Sequence, residues 1–282
     1  MREFYELVED IRDVIADKLM PGYSLENVYK ATMYALIYAV LQEKTSKYEL
    51  LKPLEERIPP TLLAAVKREL VNKMRSLVKR IDAMLTENRP VLTYSEADLM
   101  YTIETVKREI GNVDYVLVYD CMSVIEQIVV SAFLKARGVR TLFLNMVFLN
   151  PIGLTRFMTS QLPDTGYRPS LLSVAQYVAS QLKAPLYTKN SLIDINVHES
   201  GLLGVDEFVK KMDIDRIANE VLEASSRGRI LVFSDHGYDV VLAKQEQYLY
   251  IVHGFKQGSS SGDVPLLLLS RISLFMGAYR VG

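Results

Sequence analysis

The stretch Arg229-Ile230-Leu231-Val232-Phe233-Ser234-Asp235-His236-Gly237-Tyr238-Asp239 constrains the fold more than any other part of the chain. Its near-continuous apolar run reads as a buried strand ending at Ser234. An Asp-His pair follows at once, and Gly237 lets the backbone turn. In open α/β sheets, chemistry gathers beyond the carboxyl ends of the strands. A carboxylate and an imidazole at such a point are placed to hold a cation if the rest of the chain supplies partners.

Residues 1–112 read as helical. Phe4, Leu7, Val8, Ile11, Val14 and Ile15 recur at helical spacing and stop near Pro21-Gly22. Ser24, with Glu26 nearby, starts a second helix through Val28, Ala31, Tyr34, Ala35 and Tyr38. Pro53, Pro59 and Pro60 punctuate a connection. A third helix is expected from about Thr61 to Leu85, and a fourth from Glu96 to Ile110, closed by Gly111-Asn112. The basic residues from Lys67 to Arg80 are interleaved with acids and read as a solvated face.

The pattern changes at Val113. A strand is expected over Val113–Tyr119, then a helix over Val124–Arg137 closed by Gly138, then a second strand over Val139–Leu149. Pro151–Arg156 reads as a loop, Ser170–Leu182 as a helix, Tyr187–Leu192 as a short strand and Val205–Ser226 as one long helix. Beyond the Ile230–Ser234 strand, Gln247–Val252 is another, ending at His253. A Gly/Ser loop, Gly258–Gly262, leads to a last strand at Pro265–Leu269. This alternation predicts an α/β fold: a mostly parallel sheet with helices on both faces over 113–282, preceded by an all-helical region over 1–112.

A composition of 49% hydrophobic and 24% charged residues, with a net charge of −1, supplies no global pull toward nucleic acid or an anionic membrane. The single cysteine, Cys121, excludes a disulfide framework and a cysteine-rich zinc site. The N-terminus is acidic and lacks the apolar core of a signal peptide. The longest apolar candidate, Ala31–Leu41, is too short to span a bilayer, so a cytoplasmic protein without a membrane partner is expected.

The chain has three histidines, each close to a potential partner. His236 follows Asp235, His253 ends an apolar run, and His198 lies four residues after Asp194, on the same face if that segment is helical. Asp120 ends the first strand. Asp120, Asp194, His198, Asp235, His236 and His253 supply three carboxylates and three imidazoles, enough for two divalent ions with open positions for a substrate. Zinc or manganese suits such ligands best, and magnesium is possible. Taken singly, each residue has a plainer reading. A strand-end aspartate such as Asp120 usually caps a turn or helix, Asp194 can cap a helix containing His198, and His253 can be a hydrogen-bonded core histidine.

Asp120 after a first strand, Asp194-x-x-x-His198, Asp235-His236-Gly237 and His253-Gly254 occur in the order used by the alkaline phosphatase superfamily. That superfamily includes phosphatases, nucleotide phosphodiesterases, sulfatases and cofactor-independent phosphoglycerate mutases. The chain most resembles PglZ-type domains over residues 113–282, through His253-Gly254, the Gly/Ser loop and Val264–Leu268. The resemblance implies that Asp194, His198 and His253 hold one metal. It implies that Asp120, Asp235, His236 and a nucleophilic hydroxyl hold the other. Thr155 is the first choice of nucleophile and Ser123 the second, while Arg156 would bind phosphate oxygens. Thr155 can equally cap a helix, Thr159 and Ser160 lie close, and Cys121 lacks the sulfatase pattern. The expected activity is hydrolysis of phosphate esters of a small molecule, a nucleotide or a nucleic acid. The alternative is a weakly active or inactive adaptor in a signalling or phage-defence complex, docking a protein partner through its N-terminal helices.

Overall fold

The computed structural model describes residues 2–87, 98–163, 169–245, 247–255 and 262–280. The N-terminal region is helical: α1 (Arg2–Val14) runs on into a π turn at Ile15–Leu19, followed by α2 (Leu25–Lys44), α3 (Lys52–Glu55), α4 (Pro60–Glu69), α5 (Val71–Glu87) and α6 (Leu99–Glu109). Ser24 caps α2 by accepting the Asn27 N–H. The sequence of α2 is apolar nearly all round, and the helix is buried accordingly. The expected helix over 61–85 is interrupted at Leu70, whose side chain is buried with those of Val66, Val71 and Met74. The first residues of the expected fourth helix lie outside the described residues, and Asp98 caps the part that is seen. The basic face between Lys67 and Arg80 is matched by acids: Lys67 pairs with Glu55, Lys73 with Asp10, and Arg75 and Lys79 with Glu43.

The rest of the chain alternates: β1 (Tyr115–Tyr119), α7 (Val124–Lys135), β2 (Val139–Phe143), β3 (Phe148–Leu149), α8 (Thr155–Thr159), α9 (Leu171–Leu182), β4 (Leu186–Asn190), α10 (Leu192–Ser200), α11 (Val205–Lys211), α12 (Ile214–Ser225) and β5 (Ile230–Ser234). It closes with β6 (Asp239–Ala243), β7 (Tyr248–Val252), β8 (Val264–Leu268), β9 (Ile272–Ser273) and β10 (Phe275–Arg280). The main sheet has five strands in the order β2-β10-β5-β1-β4, with β10 antiparallel to its neighbours. Leu117 and Tyr119 of β1 face a core shared with α1, α2, α7 and α12. Val116 and Val118 face a second core with α6 and α9. Both faces of the sheet are therefore covered. Residue 112 marks a change of secondary structure, and buried side chains from both sides of it share the first of these cores.

Several expected elements are corrected. The strand over Val139–Leu149 splits into β2 and β3, and β3 leaves the main sheet to pair with β9. The helix over Val205–Ser226 breaks at Met212-Asp213, where Asp213 caps α12 through the Arg216 N–H. The Pro151–Arg156 loop ends early, because Thr155 already opens α8. β4 stops at Asn190, and Pro265–Leu269 is not the last strand. β8 instead joins β6 and β7 in a separate antiparallel sheet of three strands, order β7-β6-β8, and β10 follows it. Most of the Gly/Ser loop lies outside the described residues.

Candidate metal centre

The register of the main sheet brings the first ligands together. Tyr119 of β1 is level with Ser234 of β5 and Asn190 of β4, so Asp120 and Asp235 leave adjacent strands side by side. The Ser234 hydroxyl stitches the two exits: it lies 2.8 Å from the Tyr119 carbonyl and 2.5 Å from that of His236, and accepts the Met122 N–H at 2.9 Å. Gly237 is required by close approach, since a Cβ there would come within 2.8 Å of the Leu269 carbonyl and 3.0 Å of Ser123 Cα.

His236 Nδ1 lies 2.9 Å from the Gly237 carbonyl. A carbonyl can only accept, so this nitrogen carries the hydrogen and the neutral ring presents a lone pair at Nε2. That lone pair faces Asp235 Oδ2 at 3.4 Å, Asp120 Oδ1 at 3.7 Å and Thr155 Oγ1 at 3.3 Å. Asp235 is fully buried. Its Oδ1 accepts the His236 N–H, while Oδ2 has no hydrogen-bond partner. Burial, then the charges of Asp235 and Asp194, push the Asp120 carboxyl up to about 7.

The second group comes from different elements. Asn190 Oδ1 accepts the Leu192 N–H at the start of α10, and the helix carries Asp194 and His198 one turn apart. His253, just past β7, reaches the same point. Asp194 Oδ1 is 3.4 Å from His198 Nε2 and 3.3 Å from His253 Nε2, and the two Nε2 atoms are 3.2 Å apart. His253 stacks on His236 with ring centroids 4.9 Å apart, so the groups adjoin. Burial first, and then the neighbouring His236, hold the His253 imidazole below its ordinary range. Its Nδ1 is buried without a partner.

Within each group, Asp120–Asp235–His236 and Asp194–His198–His253, the ligand atoms lie within 4.8 Å of one another. The donor set fits divalent ions. In the buried group, carboxylate oxygens and an imidazole lone pair converge, and a desolvated carboxylate oxygen is left unpaired. Such an arrangement is unfavourable until a cation or proton enters it. Carboxylate and imidazole without thiolate suit zinc or manganese, with magnesium also accommodated.

No protein-family model matches the sequence, and no curated protein matches it.

Thr155 opens α8 and points its hydroxyl at the buried group. Arg156 follows it with an exposed side chain. Ser123 is not brought to either group. Its hydroxyl caps α7 at the Ile125 N–H and lies 2.5 Å from Glu126 Oε2, which also accepts the Ser123 N–H. The Ser123-x-x-Glu126 spacing is that of a capping box, a signal legible in the sequence. Cys121, between Asp120 and Ser123, adopts a left-handed φ of 68°, and its buried thiol faces the Gly237 carbonyl.

Sequence reasoning missed the residues that hold the ligands in place. Asn150 Nδ2 donates to the carbonyls of Asp235 and Leu154, both at 3.0 Å, tying the Thr155 loop to the buried group. Asp239 accepts the Phe255 and Ser270 N–H groups, each at 3.0 Å, and so fixes the turn after His253. Burial pushes its carboxyl up to about 6. Glu126, fully buried, accepts the hydroxyls of Tyr29 on α2 and Tyr238, both at 2.6 Å, linking the N-terminal helices to the Asp235–Tyr238 turn. Lys189 on β4 lies near enough to Asp120 to act on its charge. Asn150, before Pro151-x-Gly153, carried a local signal, that of a turn-forming side chain, and Glu126 carried the capping-box spacing.

Proposed function

We propose that the chain is a metal-dependent phosphoesterase, hydrolysing phosphate monoesters or diesters of a small molecule or nucleotide at a site for two divalent ions. The reading rests above all on the Thr155 hydroxyl, 3.3 Å from His236 Nε2, at a buried group of two carboxylates and an imidazole that adjoins a second such group. The order of the ligands along the chain, which resembles that of the alkaline phosphatase superfamily, supports it.

In this reading Asp120, Asp235 and His236 hold one ion with the Thr155 hydroxyl beside it, and Asp194, His198 and His253 hold the other. Divalent ions at such positions withdraw charge from phosphoryl oxygens and ease deprotonation of a nearby hydroxyl. Thr155 supplies the nucleophilic oxygen, held in place because Asn150 ties its loop to the Asp235 backbone. Arg156, exposed and next to Thr155 in the chain, and Lys189, near Asp120, offer positive charge to a phosphate.

The test is hydrolysis of aryl phosphate mono- and diesters by wild-type protein with added Mn²⁺ or Zn²⁺, beside Thr155→Val. Turnover that the ion supports and Thr155→Val abolishes is the expected result. Absence of turnover with either ion, or full turnover by Thr155→Val, sinks the proposal. An adaptor role through the N-terminal helices has less behind it, because the apolar faces of α1, α2 and α5 are buried in the core.

A further inference from the structure

Among the described residues, the most exposed large apolar side chains are Leu203, Leu202 and Ile195, at 63, 57 and 50%. All three belong to the segment that carries Asp194 and His198. Ile195 is on α10, and the leucines are on the 3-10 turn Gly201–Leu203 that continues it. Ile195 precedes His198 by three residues and shares its face of α10, and Leu202 and Leu203 follow on the turn just beyond that helix. The turn is pinned to β7. The Tyr248 hydroxyl donates to the Leu202 carbonyl at 3.1 Å, and a Cβ at Gly201 would come within 2.4 Å of the Ile251 carbonyl. The leucines are thus held outward by fixed backbone contacts.

The two ligand groups differ in access. The His198 side chain is 65% exposed, whereas those of Asp235 and His236 are buried. The centre is therefore more open to solvent on the α10 side. The Thr155 hydroxyl stands at the buried group. In phosphoryl transfer the attacking and leaving oxygens are in line across phosphorus. With Thr155 at one end, the leaving alcohol lies toward His198 and its apolar flanks.

Building on the phosphoesterase reading, we propose that Ile195, Leu202 and Leu203 form the subsite for the alcohol half of the substrate, and that the preferred substrate is a phosphate ester of a long-chain apolar alcohol. The Thr155 Oγ1–phosphorus bond forms as the bond from phosphorus to the alcohol oxygen breaks, and the hydroxyl proton ends on the released alcohol. A water then splits the Oγ1–phosphorus bond, giving phosphate and restoring the Thr155 hydroxyl.

The experiment compares kcat/KM for octyl phosphate, below its micellar concentration, with that for glycerol phosphate, using the Mn²⁺-loaded full chain. Each methylene buried in such a subsite is worth up to about four-fold. The octyl to glycerol ratio is expected to exceed about ten-fold in the wild type. It should fall by about ten-fold in the double variant Leu202→Ser/Leu203→Ser and be largely restored in Leu202→Met/Leu203→Met. A wild-type ratio near one, or a ratio that the serine variant keeps, overturns the proposal. If no ester is turned over, the phosphoesterase reading fails by itself. Calorimetry with octylphosphonate and methylphosphonate then decides the subsite: tighter octyl binding lost in the serine variant upholds it, and equal affinities overturn it. Concentration-dependent dimerisation in sedimentation that the serine variant removes makes the rim a self-association face and overturns the proposal.

Discussion

Asp120, Asp235 and His236 stand on the exits of two adjacent central strands, whereas Asp194, His198 and His253 come from a surface helix and the end of a strand in the second sheet. The donor chemistry of the two groups is nearly the same, and their settings are not. Around the buried group, Ser234, Asn150 and Gly237 fix the backbone atom by atom. His198 meets Asp194 and His253 but lies largely in solvent. Rigid, desolvated ligands bind an ion tightly and release it slowly, because the ligands lose little freedom on binding and water competes poorly. Under the proposed function, the buried group would retain an ion and the exposed group would meet the substrate.

The sharpest way to break that comparison is Asp235→Ala. It is expected to lower the bound Mn²⁺ by one ion per chain in elemental analysis and to reduce turnover by roughly a thousand-fold or more. Unchanged metal content would remove the buried group from the account. His198→Ala should have the smaller effect, with turnover down about ten- to a hundred-fold, rescued by raised Mn²⁺ concentration. Rescue of Asp235→Ala and not of His198→Ala would invert the assignment of tight and loose groups.

Two further variants act on the supports. Glu126→Gln leaves Tyr29, Tyr238 and Ser123 with one acceptor fewer in a fully buried network. It should cost about 2 kcal/mol in urea unfolding. Mn²⁺ affinity should fall at the buried group, whose loops the network holds, more than at the exposed one. The smallest effect concerns pH. The Asp239 carboxyl is raised to about 6 in the folded chain, while an unfolded aspartate titrates near 4. Between these values the folded state holds more protons, so this residue's contribution to stability is present below pH ~4 and is lost as pH rises through about 6. Thermal unfolding of metal-free protein from pH 4 to 7 should show that decline, and Asp239→Asn should make it shallower, leaving the part due to the raised Asp120 carboxyl. An unchanged pH slope in the variant would assign the titration elsewhere.

Much of the fold was legible because local signals and burial agreed. Ser24 and Ser170 start helices where their side chains cap them, and the Ile230–Phe233 run is the buried central strand. Reading failed where a strand took its partner from far along the chain. Val139–Leu149 looks uniform, yet β2 pairs with β10 and β3 with β9. Asp239–Ala243 was not expected as a strand, although it forms a close antiparallel hairpin with β7; only its other partner, β8, is distant in the chain. Ser123 looked like a nucleophile candidate because it follows Asp120 closely, and the capping-box spacing to Glu126 was the better signal.

The sequence by itself determined the ligand types, their order, and the strand ends that carry Asp120 and Asp235. These follow from patterning and chemistry within a few residues. Tertiary structure decided which candidate ligands meet, that the two groups of three adjoin through His236 and His253, and that Thr155 rather than Ser123 faces them. The physical reason is register. Asp120 and Asp235 stand together because Tyr119 is level with Ser234, and Asp239 steadies the turn after His253 because it pairs with Val252. Contacts between residues more than a hundred positions apart, such as Asp120 with Asp235 or Glu126 with Tyr238, are set by packing and strand pairing, which no local spacing records.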